Sequence, residues 1–318
     1  EQAARAVQMI LQPIVSSEQI GCAEEPENSL QRAITRSLDE LALPTRGAHV
    51  FNITIADRSV GAHLSGEILR RRQDSQMIGP VDFELTGTAG QSFGAFLIPG
   101  VNLRLAGEAN DYVGKGMSGG SITISAGDEA CLRGDVLAGN TVLYGATGGE
   151  LYVAGRVGER FAVRNSGALA VVEGAGQHAC EYMTAGIALI LGSVGANVGA
   201  GMTGGLAYLL RDFSDRYLLN EQSVQAVPIE GQEQLWLRRV LHRHFGLTGS
   251  PRAQELLKHT QALPFVRVQP LAPPCSVAET WSPILRHFPR RVSTPDYSRV
   301  AVPIPPHYRR QRVRLVTR

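Results

Sequence analysis

A glycine-rich pattern that recurs along the middle of the chain constrains the fold more than any other feature of the sequence. Five segments share it: each begins on a small or apolar residue, turns through Gly, Ser, Thr or Asn, and ends on a short run of Val, Ile, Leu or Ala. The segments are residues 113–124, 142–153, 161–172, 179–190 and 198–209. Successive segments start about 18 or 19 residues apart, except that about 29 residues separate the first two, and a period near 20 is typical of a solenoid.

The repeat unit favours strands over helices, because it is too short for a helical repeat and carries no helix-length apolar stripe. Short strands separated by glycine turns predict an all-β-dominated fold, a right-handed parallel β-helix (a single-stranded solenoid) with flanking helices. Stacked coils would hydrogen-bond to one another at roughly 4.8 Å. Glycine suits the corners because the chain bends sharply there, often at a positive φ that a Cβ opposes. The predicted corner glycines are Gly116, Gly119, Gly120, Gly145, Gly148, Gly149, Gly167, Gly186, Gly201, Gly204 and Gly205.

The segments on either side of the repeats predict four regions. Residues 1–46 form a helical connector and residues 47–225 the β-helix domain. Residues 226–263 form a helical hairpin, in which Ser250 caps the second helix and Pro251 takes its first position. Residues 264–318 are rich in proline and arginine, so this tail is expected to be extended or poorly ordered.

The composition of the 318 residues limits the classes of protein to consider. The net charge is +2 and no apolar run is long enough to cross a bilayer, so neither membrane insertion nor nucleic-acid binding is predicted. The four cysteines are scattered, without a CxxC pair, which predicts no metal site and suits a reducing, cytoplasmic location. No signal peptide is recognisable, and a first residue other than Met suggests a fragment or trimmed chain.

Three short motifs resemble catalytic or nucleotide-binding patterns, but their contexts argue against those functions. Residues 114–119 (GKGMSG) and 199–204 (GAGMTG) match GxGxxG, which binds a dinucleotide only where a helix follows the glycines. Strand-like residues follow the first, so a β-helix corner is the better interpretation. Residues 90–94 (GQSFG) match the nucleophile-elbow pattern GxSxG, yet Pro99 and Gly100 follow too soon for the helix that this chemistry needs.

Polar clusters elsewhere are predicted to be structural. His178 is expected at a surface or corner beside a buried Cys180, and the pair His242 and His244 is expected to be solvated on a helix. Asn110 and Asp111 are expected to form a corner, and they are the candidates for contact with a neighbouring domain. The chain is therefore predicted to carry no catalytic, cofactor-binding or metal-binding residues.

Several blocks of sequence resemble the GXGXG domain of glutamate synthase, the C-terminal β-helix of that enzyme's large subunit. The blocks are residues 60–68 (VGAHLSGEI), 87–96 (GTAGQSFGAF), 107–120 (GEANDYVGKGMSGG), 139–168, 172–184 (VEGAGQHACEYMT), 199–208 (GAGMTGGLAY) and 247–257 (LTGSPRAQELL). The resemblance covers about residues 47–265, in order along the chain.

The resemblance implies a role in ammonia assimilation. In that family an amidotransferase domain hydrolyses glutamine, and the ammonia reacts with 2-oxoglutarate at a synthase domain that holds FMN and an iron–sulfur cluster, giving glutamate. Reduced nicotinamide, through a small NADPH-oxidising subunit, or ferredoxin supplies the electrons. The β-helix is a non-catalytic scaffold that packs against the amidotransferase and FMN-binding synthase domains. The resemblance thus implies those partners, and no cofactor in this chain.

Two alternatives remain open at the level of sequence. One is the β-helix subunit of a complex like formylmethanofuran dehydrogenase, which shares the glycine repeat. The other is a free-standing binding module that uses the basic tail. Removing the residues after Pro270 would distinguish the second, because a scaffold is expected to keep its fold and docking without them.

Overall fold

The computed structural model describes residues 29–40, 49–74, 80–125, 134–211, 218–229, 231–259 and 262–286. Most of the predicted connector and all of the tail after residue 286 lie outside these ranges. Within them the chain forms a parallel β-solenoid of about six turns with five flanking helices, so the predicted solenoid is confirmed.

Parallel strands stacked one above the next form the body of the solenoid. In order of stacking they are β1 (His49–Ile53), β2 (Val81–Ala89), β3 (Val101–Ala109), β4 (Ser118–Ser125), β6 (Gly148–Val157), β7 (Ser166–Gly174), β8 (Ala185–Ile190) and β9 (Leu206–Leu210). A short strand, β5 (Val136–Ala138), pairs with β3 and β6 beside this stack. It lies in the stretch that makes the first repeat interval longer than the others.

The last strands close the stack with a change of direction. β11 (Phe265–Pro270) pairs antiparallel to β9 and to β10 (Val224–Pro228). The prediction of an extended or poorly ordered tail from residue 264 is therefore wrong for residues 265–285. Phe265 and Val268 are fully buried, and their apolar contacts outweigh the proline-rich composition around them.

Five helices flank the solenoid in the described residues: α1 (Ser29–Glu40), α2 (Ala62–Gln73), α3 (Gln232–Thr248), α4 (Pro251–Leu257) and α5 (Val277–Leu285). α1 and α2 bury Leu30, Ile34, Leu38, Leu64 and Ile68 in the same core as the first strands. The predicted start of α4 is confirmed, because the Ser250 side chain accepts a hydrogen bond from the Ala253 N–H and Pro251 follows it.

The strand register explains why only part of the solenoid carries helices. One outward-facing column of stacked partners changes from charged to apolar along the stack: Glu84, Arg104, Thr123, Tyr152, Val171, Leu189 and Tyr208. Where the column is apolar, α3, α4 and α5 cover it, and a second core forms between these helices and the outer face of β6–β9. β8 and β9 are thus buried on both faces, and this is why they read as continuous apolar runs.

Candidate functional site

The predicted corner glycines occupy two kinds of position. Seven of them have a φ in the left-handed region, between 62° at Gly116 and 93° at Gly149. These seven are Gly116, Gly120, Gly145, Gly149, Gly186, Gly201 and Gly205. Glycine is favoured there because L-residues clash with their own backbone in this region.

The other four are needed because the neighbouring coil comes very close. A Cβ would lie 2.7 Å from the Ser118 carbonyl oxygen at Gly148, 2.4 Å from that of Thr147 at Gly167, and 2.1 Å from that of Thr184 at Gly204. At Gly119 it would lie 2.5 Å from the Pro99 ring. These glycines allow successive coils to approach closely enough for their backbones to pair.

A second feature, which we call the left-handed ladder, runs along one lateral face of the solenoid. In each of six coils three residues, each separated from the next by one residue, have positive φ. The ladder consists of Ser92, Gly94 and Phe96; Tyr112, Gly114 and Gly116; Thr141, Leu143 and Gly145; Arg160, Ala162 and Arg164; His178, Cys180 and Tyr182; and Asn197, Gly199 and Gly201. Its first coil extends the five segments found in the sequence to a sixth.

Backbone hydrogen bonds between coils stabilise the ladder. The Tyr112 N–H donates to the Asn140 carbonyl of the following coil at 2.9 Å, and the Leu143 N–H donates back to the Val113 carbonyl at 2.8 Å. Equivalent bonds recur along the stack, so the left-handed conformation is imposed by every neighbouring coil. Twelve of the eighteen ladder residues are not glycine, which the sequence analysis did not foresee.

Asn110 and Asp111, the predicted inter-domain contacts, lie at the corner that precedes the ladder in the second coil. The Asn110 side chain accepts from the Asp111 N–H at 2.8 Å, and Asp111 Oδ1 accepts from the Asn140 N–H at 2.7 Å. Asn140 repeats the arrangement on the next coil by accepting from the Glu159 N–H. These contacts give both residues a role in joining coils, while contact with another domain stays a prediction.

The structure supports the predicted positions of Cys180 and His178. Cys180 is fully buried, and burial raises the pKa of its thiol to about 12, so it remains protonated and unreactive at neutral pH. His178 is partly exposed, with Nδ1 2.7 Å from Glu181 Oε1. Asn165 is also buried, and its side-chain oxygen accepts from the N–H groups of Gly167 and Ala168.

The expectation that His242 and His244 are both solvated is wrong for His244. His244 is fully buried, packs on Tyr152 with ring centroids 6.0 Å apart, and places Nε2 3.6 Å from Glu173 Oε1. His242 is half-buried. Its pKa is lowered mainly by burial and, to a smaller extent, by the positive charge of the nearby Arg238. The error arose because α3 presents residues 237, 240, 241 and 244 to the outer sheet face, and the sequence alone does not show that this face needs covering.

Arg243 lines a groove of about 430 Å³ together with several of the corner glycines, among them Gly120 and Gly149. Its guanidinium binds Glu150 at 2.7 Å and also donates to the Tyr152 hydroxyl at 3.1 Å. Burial and the Glu150 charge raise the Tyr152 pKa well above its usual value. This network joins α3 to β6. Within it, the positive charge of Arg243 is balanced by the negative charge of Glu150.

The described residues do not fit the cofactors that the resemblance implies for the whole enzyme. An iron–sulfur cluster needs several cysteine thiolates, whereas of the cysteines in the described ranges Cys180 is buried and Cys275 is exposed and distant in sequence. No group of three or more His, Cys, Asp or Glu residues in these ranges could hold a metal ion. Strands β4 and β9, not helices, follow the two GxGxxG runs, so neither run has the helix N-terminus that binds a phosphate.

Among the residues that the structure describes, no helix has the length and apolar character needed to traverse a bilayer.

Together, the stacked parallel strands, glycine corners and left-handed ladder define a β-solenoid that carries its own helical cover. The GXGXG motif family model matches residues 29–271. The chain therefore belongs to the GXGXG family.

Curated relatives of this chain are glutamate synthases. The chain is 49% identical over 232 residues to the ferredoxin-dependent glutamate synthase of Pyropia yezoensis, a match that covers 71% of this chain and 15% of the relative. It is 48% identical over 219 residues to ferredoxin-dependent glutamate synthase 2 of Synechocystis sp., covering 67% of this chain and 14% of the relative. With the chloroplastic enzyme of Spinacia oleracea it shares 43% identity over 231 residues, which are 71% of this chain and 14% of the relative.

Proposed function

We propose that this chain is a non-catalytic structural domain of a glutamate synthase, whose solenoid holds the amidotransferase and FMN-binding synthase domains in their relative positions. The observation that carries the proposal is the 49% identity to a glutamate synthase over a region that folds as one continuous solenoid. Such a stack is suited to a spacer, since backbone bonds between every pair of coils resist bending.

The chemistry of the polar groups also favours a structural role. Glu150, Glu173 and Glu233 are engaged in contacts between the helical cover and the strands. Cys180 is protonated in the solenoid interior. Each of these groups serves packing or fold closure, so we assign glutamine hydrolysis and reductive glutamate formation to the rest of the enzyme.

The parent reaction would convert glutamine and 2-oxoglutarate to glutamate, in ammonia assimilation. The names of the relatives favour ferredoxin as the electron donor over a small NADPH-oxidising subunit. FMN and the iron–sulfur cluster would then belong to the synthase domain. The cytoplasmic location expected from the sequence stays a prediction, and the spinach relative is a chloroplastic protein.

A domain exchange tests the proposal. In the Synechocystis enzyme, the region that matches this chain is replaced by this chain, and glutamate formation from glutamine and 2-oxoglutarate is measured with reduced ferredoxin. We expect the chimaera to retain activity and a form with the region deleted to lose it. We also expect the chimaera to keep its kcat when His63, an exposed titratable residue on α2, is replaced by Asn.

Two results would contradict the proposal. A deleted form with full activity would mean that the enzyme needs no such domain. A chimaera that binds FMN but forms no glutamate would mean that this solenoid cannot substitute for the relative's domain.

A further inference from the structure

The third position of the left-handed ladder carries either glycine or a residue with a large side chain. Glycine occupies it in three coils, at Gly116, Gly145 and Gly201. Phe96, Arg164 and Tyr182 occupy it in the other three, with φ of 54°, 55° and 52°. Glycine therefore satisfies the fold at this position, and a large side chain there adds backbone strain.

Burial of the two aromatic side chains does not offset that backbone strain, because both remain largely exposed. Phe96 is 56% exposed and Tyr182 is 62% exposed. Each ring packs closely against the glycine of the next coil, since a Cβ at Gly116 would be 2.8 Å from Phe96 Cε1 and one at Gly201 would be 2.6 Å from Tyr182 Cε1. Each ring thus contacts the backbone of the neighbouring coil while much of its area faces solvent.

Tyr112 adds a third aromatic ring to the same face. It is the first ladder residue of the second coil, has a φ of 63° and is 37% exposed. The Lys115 ammonium lies 5.4 Å from its ring centroid, beside a cleft of about 580 Å³ that Tyr144 and Arg160 also line. In the described ranges, the large hydrophobic side chains that are exposed include three aromatic ones, and all three lie on the ladder.

We propose that the left-handed ladder, with Phe96, Tyr112 and Tyr182 as its anchors, is the surface on which this domain docks against the amidotransferase–synthase body of a glutamate synthase. Rigid aromatic rings with small entropy to lose are the side chains most enriched at the centres of protein interfaces. Strained residues that do not improve the fold are also typical of functional surfaces. The inference rests on the proposed function and names the face that performs it.

Two observations support this choice of docking partner and of docking face. The matched region makes up only 14–15% of the relatives' length, so most of each relative lies outside it and has to contact the domain somewhere. Two other parts of the surface are covered within the chain: α3, α4 and α5 pack on the outer face of β6–β9, and α1 and α2 pack with the first strands. The ladder face keeps its aromatic residues exposed.

Hydroxyl-radical footprinting of the whole chain and of the Synechocystis chimaera tests the contact directly. In the isolated chain, we expect the rings of Phe96, Tyr112 and Tyr182 to be oxidised readily. In the chimaera, their oxidation should be lost, down to the level of Phe93, which is buried in the same coil as Phe96. Leu235 on α3, which is 60% exposed, is the internal control and should be oxidised equally in both.

A double variant, Phe96→Gly with Tyr182→Gly, provides the second measurement. Because glycine occupies the same position in three coils, the melting temperature of the isolated variant should stay the same or rise. In the chimaera, the same variant should lower both glutamate formation and the melting temperature. Leu235→Ala, which removes an equally exposed apolar side chain elsewhere, should change neither.

The outcomes separate this inference from the proposed function. An active chimaera in which the three rings oxidise as in the isolated chain would overturn the docking face but leave the structural role intact. An inactive chimaera with protected rings would overturn the proposed function and retain the contact. If the isolated chain forms a dimer that the double variant abolishes, the face binds a second copy, and the inference is wrong.

Discussion

The effect of adding a side chain at a solenoid corner depends on which glycine receives it, since strain and steric overlap are separable there. Gly120 and Gly145 both have positive φ, at 74° and 64°. A Cβ at Gly120 would lie 2.2 Å from the Val101 carbonyl oxygen, whereas at Gly145 it would have no neighbour within 4 Å. A side chain at Gly120 would therefore cause both backbone strain and steric overlap, whereas one at Gly145 would cause backbone strain alone.

We therefore predict that Gly120→Ala destabilises the fold more than Gly145→Ala. The Gly145 variant should lose about 1–2 kcal/mol of unfolding free energy from the left-handed conformation. The Gly120 variant should lose roughly 1–3 kcal/mol more, because the Val101 backbone has to move. Valine at Gly120 or Gly205 should be at least as damaging. Urea unfolding of the two alanine variants checks this, and equal midpoints would show that coil approach at Gly120 contributes nothing.

The residues of the ladder show what a glycine pattern reveals and what it hides. Positive φ was expected at glycines, and seven of the eleven named glycines have it. Leu143, Ala162 and Cys180 adopt it as well, in line with Gly94, Gly114 and Gly199 of other coils. The conformational preferences of these residues do not predict a positive φ. Backbone hydrogen bonds to both neighbouring coils impose the left-handed conformation on them. Only an alignment of the coils themselves would reveal it from the sequence.

At the scale of elements, α5 depends on a buried network that lies outside the repeats. Trp281 is fully buried; its indole N–H donates to the Tyr208 hydroxyl at 2.8 Å, and its ring lies 5.4 Å from that of Trp236. The Tyr208 hydroxyl in turn donates to Glu233 at 2.8 Å, which links β9, α3 and α5. α5 is therefore part of the folded domain, although its sequence lies in a proline-rich stretch.

This network changes the truncation experiment that the sequence suggests. Ending the chain after Pro270 removes Trp281 and uncovers Tyr208. We predict that this shorter form loses roughly 3–5 kcal/mol of unfolding free energy, the amount typical of Trp→Ala in a core, and that its melting temperature falls clearly. Ending it after residue 286 keeps every contact that joins the described residues, so this form is the reference for the shorter one. Differential scanning calorimetry of the two truncated forms distinguishes them. An unchanged melting temperature in the shorter form would mean that α5 adds no stability.

Elements with their own periodicity were predictable, whereas those whose position depends on distant partners were not. The coils, α1 and the start of α4 follow from local patterns and were predicted. β11 and α5 exist because the outer face of β6–β9 must be covered, and no local pattern carries that information. The buried His244 belongs to the same class, since its environment is set by Tyr152 and Glu173 on strands far away in the sequence.

Over the whole molecule, the strands differ in how many of their faces are buried. The burial of β2 and β3 alternates along each strand, because their outer face carries exposed or half-exposed residues such as Glu84 and Arg104. All residues of β9, and all but the first of β8, are buried. The inner core runs through the whole stack, but only the second half has a further apolar layer outside it.

We predict that this asymmetry sets the order in which the solenoid opens. Backbone amides of β8 and β9 should exchange with deuterium more slowly than those of β2 and β3, because opening the former exposes two apolar faces instead of one. Mass spectrometry of the native chain measures this. Trp281→Ala should then accelerate exchange in β8 and β9 and leave β2 and β3 unchanged, because Trp281 packs in the outer core formed with β6–β9. Uniform exchange along the solenoid, or equal acceleration throughout in the variant, would show instead that the coils open as one cooperative unit held by the inner core alone.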